Sequence, residues 1–312
     1  MGAGAVGGYY GARLAMAGHD VSFLVRSAHS AATLRSGLRV TSELGDVRLS
    51  PVNVVTDPQQ TGPVDLVIVA VKLWDTDAAA RSTMPMIGAG TSVISLQNGV
   101  DKDEMIAGVL GREHLLGAVT YIVVNRDQGG TIVHSGSLQR IIVGELDTPQ
   151  TARVQEIVTA LTAGDIDATA SPDIRRSTWE KFIFLASISA VTAVTRETIG
   201  TVRSHPATRA LLKDAMLEAA SLARTEGVSV PTNFVDESIR FVDTLPAVAR
   251  SSMAQDLLRG SRLELEWLSG AVVRRGDRIG LSTPVHSTLY AALAPFAGGR
   301  LSAVNQNTSA KD

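Results

Sequence analysis

The sequence predicts an α/β domain with a doubly wound sheet, followed by an all-helical domain. Three observations carry this prediction. Gly2, Gly4 and Gly7 open the chain with the spacing G-x-G-x-x-G. Apolar runs at residues 65–71 and 91–96 alternate with helical stretches through the first half, as in a sheet covered on both faces. From Pro172 onward the periodicity turns helical.

In a dinucleotide site the first glycine permits a tight turn and the second lets backbone approach a pyrophosphate. The third lets a helix pack close to a strand. Residues 9–17 are good helix material, and Gly18 stands where a helix C-cap belongs. The amino end of that helix would turn free N–H groups and a positive dipole end toward phosphates. Gly2, Ala3, Gly4, Ala5, Val6 and Gly7 are therefore candidate cofactor contacts of a Rossmann-type domain. Residues 21–25 follow as a buried strand. Only Met1 precedes the motif, where such folds place their central first strand. That strand is expected to be missing or truncated; without it residues 21–25 and 66–71 would each lose a ladder partner, so either the natural start lies upstream or the chain is marginally stable.

Arg26 falls nineteen residues beyond Gly7, where an acidic residue would take the ribose 2′-OH of NAD. An arginine there favours the 2′-phosphate of NADP; the plain alternative is a solvated arginine at a strand end. Residues 37–41 and 47–50, parted by Leu44-Gly45-Asp46, read as a hairpin. The run 65–71 ends in Lys72 and the run 91–96 ends in Gln97-Asn98-Gly99, with a helix over 75–86 between them. Lys72 and Asn98 thus reach the carboxyl edge of the sheet, where ligands of open α/β sheets bind. Asn-Gly is also a common turn pair, so turn and site stay open for Asn98. Strands over 117–124, 130–134 and 139–143, a helix over 149–163 and a strand over 166–170 complete a first domain of residues 1–172, with an antiparallel extension at its far edge.

The second domain is expected over residues 173–312, with a cleft near Asp173. Leu212, Met216, Ala219, Leu222 and Ala223 share a helix face closed by Gly227. Leu265, Leu268 and Val272 make another, with Arg274 and Arg275 in its last turn and Gly276 beyond. Thr283-Pro284 places a capping residue before a proline at the first helical position of a helix running toward Phe296. The Ser- and Asn-rich tail after Gly299 is expected to fray.

Bulk properties exclude several classes. A hydrophobic content of 45% with 19% charged residues is that of a globular protein. The net charge of -2 leaves no electrostatic footprint for nucleic acid. Absence of cysteine excludes disulfides, thiolate zinc sites and a cysteine nucleophile. The longest apolar run, 64–71, is far too short to span a bilayer. With no signal-peptide pattern at the start, no membrane partner and a cytoplasmic location are expected. The six histidines show no H-x-x-x-H or H-x-H spacing, so no metal site is expected. His134, in a predicted hairpin, reads as structural, and Glu266 as solvated. No G-x-S-x-G or P-loop occurs.

A nicotinamide enzyme needs a group to protonate the oxygen that forms when hydride reaches a carbonyl. Lys181 lies among Phe182, Ile183, Phe184 and Leu185, and partial burial would lower a lysine pKa toward working pH. A lysine in an apolar helix is more often a snorkelling surface residue, and spacing alone leaves both readings open.

The chain resembles the ketopantoate reductase (2-dehydropantoate 2-reductase) family over nearly its whole length. The resemblance rests on the glycine motif, Val71-Lys72, Gln97-Asn98-Gly99 and Trp179-Glu180-Lys181. It rests further on Ser251-Ser252-Met253-Ala254-Gln255-Asp256 with Gly260 and Glu264, and on residues 280–284. It implies NADPH-dependent reduction of 2-dehydropantoate to pantoate, in pantothenate and hence coenzyme A biosynthesis. By that resemblance Lys181 is the general acid and Glu264 binds and orients substrate, counted also with the cofactor contacts. Ser252 and Asn98 hold polar groups of the substrate, Asn98 also reaching the cofactor, and Arg26 and Lys72 contact the 2′-phosphate region. The best-known members carry asparagines four and eight residues after the lysine. Here Leu185 and Ser189 stand there, with Ser189 kept among the substrate-binding positions. Leucine offers no donor or acceptor, so another 2-oxo acid is an alternative substrate, and a non-catalytic NADPH sensor on the same fold is a second alternative. The expected partners are the small 2-oxo acid and, with no sequence feature that fixes it, a second copy of the chain in a homodimer.

Overall fold

A computed structural model of the chain describes residues 1–147 and 150–299. They form two compact units, Met1–Asn98 with Lys102–Ser177, and Gly99–Asp101 with Thr178 onward. Pro149, at the expected start of a helix, and the tail beyond Gly299 lie outside the described residues.

The first unit alternates helix and strand. Helix α1 (Ala5–Met16) leaves the glycine loop directly, followed by β1 (Phe23–Leu24), α2 (Ala28–Arg35), the hairpin β2 (Leu38–Ser42) and β3 (Val47–Leu49), and β4 (Val54–Val55). Then come β5 (Leu66–Val69), α3 (Thr76–Thr83), β6 (Ser92–Ser95), α4 (Lys102–Leu110), β7 (Leu115–Arg126), β8 (Ile132–Gly144), α5 (Ala152–Ala163) and β9 (Asp167–Ala170). Strand order in the main sheet is β3-β2-β8-β7-β6-β5, with β9 on β8. Pairing of β5, β6 and the start of β7 is parallel, and that of β7 with β8 antiparallel, which is the expected extension at the far edge.

Among the described residues no strand stands between β1 and β5, so the sheet is divided in two, with the loss of ladder partners expected for residues 21–25 and 66–71. Strands β1 and β4 pair only with each other. Met1 and Gly2 occupy the place of the central strand: the Gly2 amide donates to Leu24 O at 3.2 Å, the Met1 ammonium to Ile68 O at 2.7 Å, and the Ala70 amide to Met1 O at 2.9 Å. Two residues satisfy these groups but cannot build a ladder that joins β1 to β5. As a result β5 is an edge strand and alternates half-buried with buried positions, whereas β6 is buried at all four.

A correction concerns residues 130–143. The two strands expected there are one, β8. Its amino-terminal part pairs with β2 and its carboxyl-terminal part with β9. Gly136, at φ +73°, interrupts the sequence pattern without ending the strand.

Two apolar cores fill this unit. Tyr9, Tyr10 and Leu14 of α1 share one with Ile132, Ile141 and Leu161. Val67, Val69 and Val93 share the other with Ala79, Ala80 and Ile106. His134 is buried and structural as read: Nδ1 pairs with Ser42 Oγ at 2.8 Å and Nε2 with Leu138 O at 3.0 Å.

Among its described residues the second unit is helical. Helix α6 (Ile174–Thr195) leads into it, followed by α7 (Ile199–Ser204), α8 (Pro206–Thr225), α9 (Phe234–Thr244), α10 (Ser252–Arg259), α11 (Ser269–Ile279) and α12 (Pro284–Leu293). Phe182, Ile183 and Val191 pack with Leu212, Met216, Ala219, Leu265 and Val272 in one core. Helix α11 runs through Gly276 and ends at Gly280, in the left-handed conformation at φ +71°. Gly276 is needed inside the helix, because a Cβ there would lie 2.7 Å from Leu281 O. Arg274 and Arg275 are consequently not in the last turn. Thr283 precedes Pro284 as expected, but its side chain does not cap. The Glu218 carboxylate does so instead, accepting from the Val285 and His286 amides at 2.9 and 2.7 Å.

Candidate active site

The glycine loop leaves an open amino end on α1. Gly2 has φ +93°, and a Cβ on it would lie 2.8 Å from Val71 Cγ1. A Cβ on Gly7 would lie 2.2 Å from the Gly2 carbonyl oxygen. Both positions exclude a side chain, and so hold the loop tight between Val71 and the helix. Gly4, the N-cap residue, is exposed, and a Cβ there would meet nothing within 4 Å. No side chain caps this helix, and its first turn holds no acidic residue. Backbone N–H groups and the dipole end are thus left for an anion. Residues 2–7 fit a dinucleotide pyrophosphate. Arg126, which sequence reasoning missed, donates to Ala3 O at 3.0 Å from the end of β7; its separation of 123 residues from the loop gives no local signal.

Three further loops follow the carboxyl ends of β1, β5 and β6. Arg26, just beyond β1, forms a bidentate ion pair with Asp75 at 2.7 and 2.8 Å. Lys72 opens the short 3-10 turn Leu73–Asp75, with Nζ 5.7 Å from the centre of the Trp74 ring. Asn98 is half-buried beyond β6. Gln97 ties the two loops that carry Lys72 and Asn98. Its Nε2 donates to Val71 O at 3.0 Å and to Thr76 Oγ1 at 2.8 Å, and its Oε1 accepts from Ser95 Oγ at 2.9 Å. Asp75 and Gln97 are functional candidates that the sequence showed only as a helix start and part of a motif.

The second unit carries the remaining candidates. Lys181 is half-buried on α6, between core residues Trp179 and Phe182, whose rings meet edge-on at 5.5 Å. Leu185 is half-buried against the core. Ser189 is fully buried, and its hydroxyl has no hydrogen-bond partner. Ser252 is exposed at the first position of α10. Ser251 before it caps that helix by accepting from the Ala254 amide at 3.1 Å and shares a hydrogen bond with Thr192 at 2.8 Å. This brings the start of α10 to α6 one turn past Ser189. Glu264, 9% exposed, precedes the 3-10 turn Leu265–Trp267.

An ion network lies beside these elements. Arg275, 6% exposed, donates to Asp101 at 2.7 Å and to Glu226 at 2.8 and 3.0 Å. Burial pulls its pKa down, but Asp101 and Glu226 more than offset this, and the net shift is upward. Its guanidinium also lies over Trp179, 5.8 Å from the ring centre. Arg274 pairs with Asp101 and with Glu266, which also accepts from the Tyr290 hydroxyl at 2.7 Å. Glu266 keeps 44% of its side chain exposed, in keeping with the solvated reading, and is also engaged: Arg274 and Tyr290 lie within its reach from α11 and α12. Among the described residues no group of His, Asp and Glu side chains is arranged to hold a metal ion.

An α/β unit that opens on a glycine loop, followed along the chain by a helical unit, is the architecture of a class of nicotinamide-dependent oxidoreductases. Residues 1–148 match the family described as Ketopantoate reductase PanE/ApbA, and residues 173–297 its C-terminal domain. The chain belongs to the ketopantoate reductase family, NADP-dependent oxidoreductases acting on a CH–OH group. It is 34% identical to the 2-dehydropantoate 2-reductase of Archaeoglobus fulgidus, over 93% of this chain and 94% of that one. It is 29% identical to an uncharacterized oxidoreductase of Bacillus subtilis, over 95% and 97%. The crystal structure of 2-dehydropantoate 2-reductase from Geobacter metallireducens superposes with a TM-score of 0.87 at 30% identity, covering 95% of this chain and 98% of that one. A D-mandelate dehydrogenase solved with NADH and anilino(oxo)acetate has a TM-score of 0.86 over 95% and 96%; at 20% identity it shares the fold.

Proposed function

We propose that this chain reduces a 2-oxo acid to a 2-hydroxy acid with NADPH, and that 2-dehydropantoate, giving pantoate, is its substrate. The observation that carries the reading is the uncapped amino end of α1 at Gly4, free of acidic residues, in a chain of this family. When bound, NADPH supplies the hydride. Backbone of Gly2, Ala3, Gly4, Ala5, Val6 and Gly7 holds the pyrophosphate, and Arg26 and Lys72 take the 2′-phosphate. Lys181 donates a hydrogen bond to the carbonyl oxygen and passes it a proton as charge develops there, general-acid help worth ~10²–10⁴ in rate. Glu264 fixes the substrate hydroxyl or the ammonium, and Asn98 and Ser252 serve the remaining polar groups, whereas Ser189, expected among them, is fully buried on α6.

A less polar 2-oxo acid is the second reading, favoured by Leu185, apolar and half-buried one turn beyond Lys181. The NADPH-sensor alternative has no support in a family of oxidoreductases. The test is NADPH oxidation, followed by its absorbance, against a panel of 2-oxo acids. Fastest turnover with 2-dehydropantoate is expected. Fastest turnover with an aromatic or longer aliphatic 2-oxo acid would select the second reading, and no oxidation with any member would refute both.

A further inference from the structure

Arg26 does not wait alone for a phosphate. Two of its N–H groups point into the Asp75 carboxylate at 2.7 and 2.8 Å. The arginine side chain is 60% exposed and the aspartate 21%, so the carboxylate lies behind a guanidinium whose other side is open. A guanidinium has five N–H donors, and those not given to Asp75 can still serve a ligand. The charge is another matter. The two side chains together are neutral, and of the cations proposed for the 2′-phosphate only Lys72, three residues before Asp75, adds positive charge.

A phosphomonoester brings a charge of about −1.5 to −2 at neutral pH. Placed on Arg26 it also faces the Asp75 carboxylate, and like charges at short range repel. A ribose 2′-OH meets the opposite situation. It is a donor, and a carboxylate bound by arginine keeps lone pairs for a further hydrogen bond. An acidic residue performs this service at the tip of the second strand in NAD sites. Here arginine holds that tip, and the carboxylate arrives from the turn after β5, forty-nine residues further on.

We infer that Asp75 is a specificity-determining residue that narrows the preference for NADPH over NADH, by competing with the 2′-phosphate for Arg26 and accepting from the 2′-OH of NADH. The inference rests on the proposed binding of the 2′-phosphate by Arg26. Asp75 keeps 21% exposure and its side chain caps no helix, so replacing it perturbs folding little.

The test measures dissociation constants of NADP⁺ and NAD⁺ by calorimetry for the wild-type chain, Asp75→Asn, Asp75→Ala and Arg26→Ala. Both Asp75 variants should bind NADP⁺ about tenfold tighter than wild type, the scale of one charged hydrogen bond, and NAD⁺ more weakly. Arg26→Ala should lose NADP⁺ affinity and keep that for NAD⁺. An unchanged ratio of the two constants in both Asp75 variants, with Arg26→Ala still selective against NADP⁺, overturns the role of Asp75 alone. Arg26→Ala that leaves NADP⁺ affinity untouched overturns the Arg26 reading and the inference with it.

Discussion

The Gln97 side-chain amide donates to the Thr76 hydroxyl at 2.8 Å, across the gap between the loops that follow β6 and β5. The same nitrogen reaches Val71 O. Gln97 and Thr76 are buried, so leaving the Thr76 hydroxyl without this donor costs about 1–3 kcal/mol. Gln97→Leu, which keeps the volume, should lower the melting temperature and raise the Michaelis constants for cofactor and oxo acid severalfold, with a smaller change in turnover. Unaltered Michaelis constants would show that the two loops hold their places without it.

Lys181 and Glu264 should fail in different ways. Lys181→Ala should lower the turnover number by about two to four decades and leave cofactor binding intact. Glu264→Ala should show much of its loss in the Michaelis constant for the oxo acid. Lys181→Ala turning over within about threefold of wild type, far short of the general-acid range, would remove it as proton donor.

His286 should make stability fall in mild acid. It is fully buried, with Nε2 3.1 Å from Ala215 O, and burial lowers its pKa to about 4. The unfolded chain binds a proton near pH 6.5 and the folded chain does not, so stability is complete above that pH and declines as pH drops toward 4. The two values differ by about 2.5 units, on the order of 3 kcal/mol. Glu218, next to it, works in the opposite sense: burial holds its carboxyl above the usual range, against the pull of two backbone amides, so its contribution is lost as pH rises. Urea midpoints at pH 7 and pH 4.5 should therefore differ less in His286→Gln than in wild type, and equal differences would assign the acid sensitivity elsewhere.

Arg275 should be costly to remove. Arg275→Ala leaves Glu226, also buried, without its closest counter-charge, and breaking such a pair typically costs about 3–5 kcal/mol. Arg275→Met together with Glu226→Leu should recover much of the loss in a urea titration. A single variant as stable as the parent would mean that Arg278, 3.1 Å from Glu226, suffices.

What could be read from the sequence was local. The glycine spacing, the β2–β3 hairpin and β6 rest on patterns a few residues long, and the structure repeats them. Where the structure departs from the sequence pattern, distant groups decide. Gly276 looked like a helix end, yet it is the site where Leu281 comes close. Glu266 is half-exposed, and nothing near it in sequence announces its bond from Tyr290. Ser135-Gly136 broke the pattern of β8, whose continuity comes from partners on either side. The Arg26–Asp75 pair joins residues forty-nine apart, and Arg275 and Asp101 are 174 apart; neither residue signals the other. Lys181, Glu264 and Ser252 were assigned by family resemblance, since a lysine, a glutamate and a serine have no periodicity of their own.

Gly99, Val100 and Asp101 leave the first unit for three residues and return to it at Lys102. Val100 is a member of the helical core, and Asp101 is one of the two carboxylates on Arg275. The chain thus passes from one unit to the other after Asn98, after Asp101 and again after Ser177. For protein engineering this means that the helical unit is not a contiguous cassette. A chimaera that joins the first 177 residues of this chain to the remainder of a relative would mate a foreign tripeptide with a foreign arginine. Crossovers chosen by domain boundary alone should give poorly folding hybrids, and those that transplant residues 99–101 along with the helices should be the ones that survive.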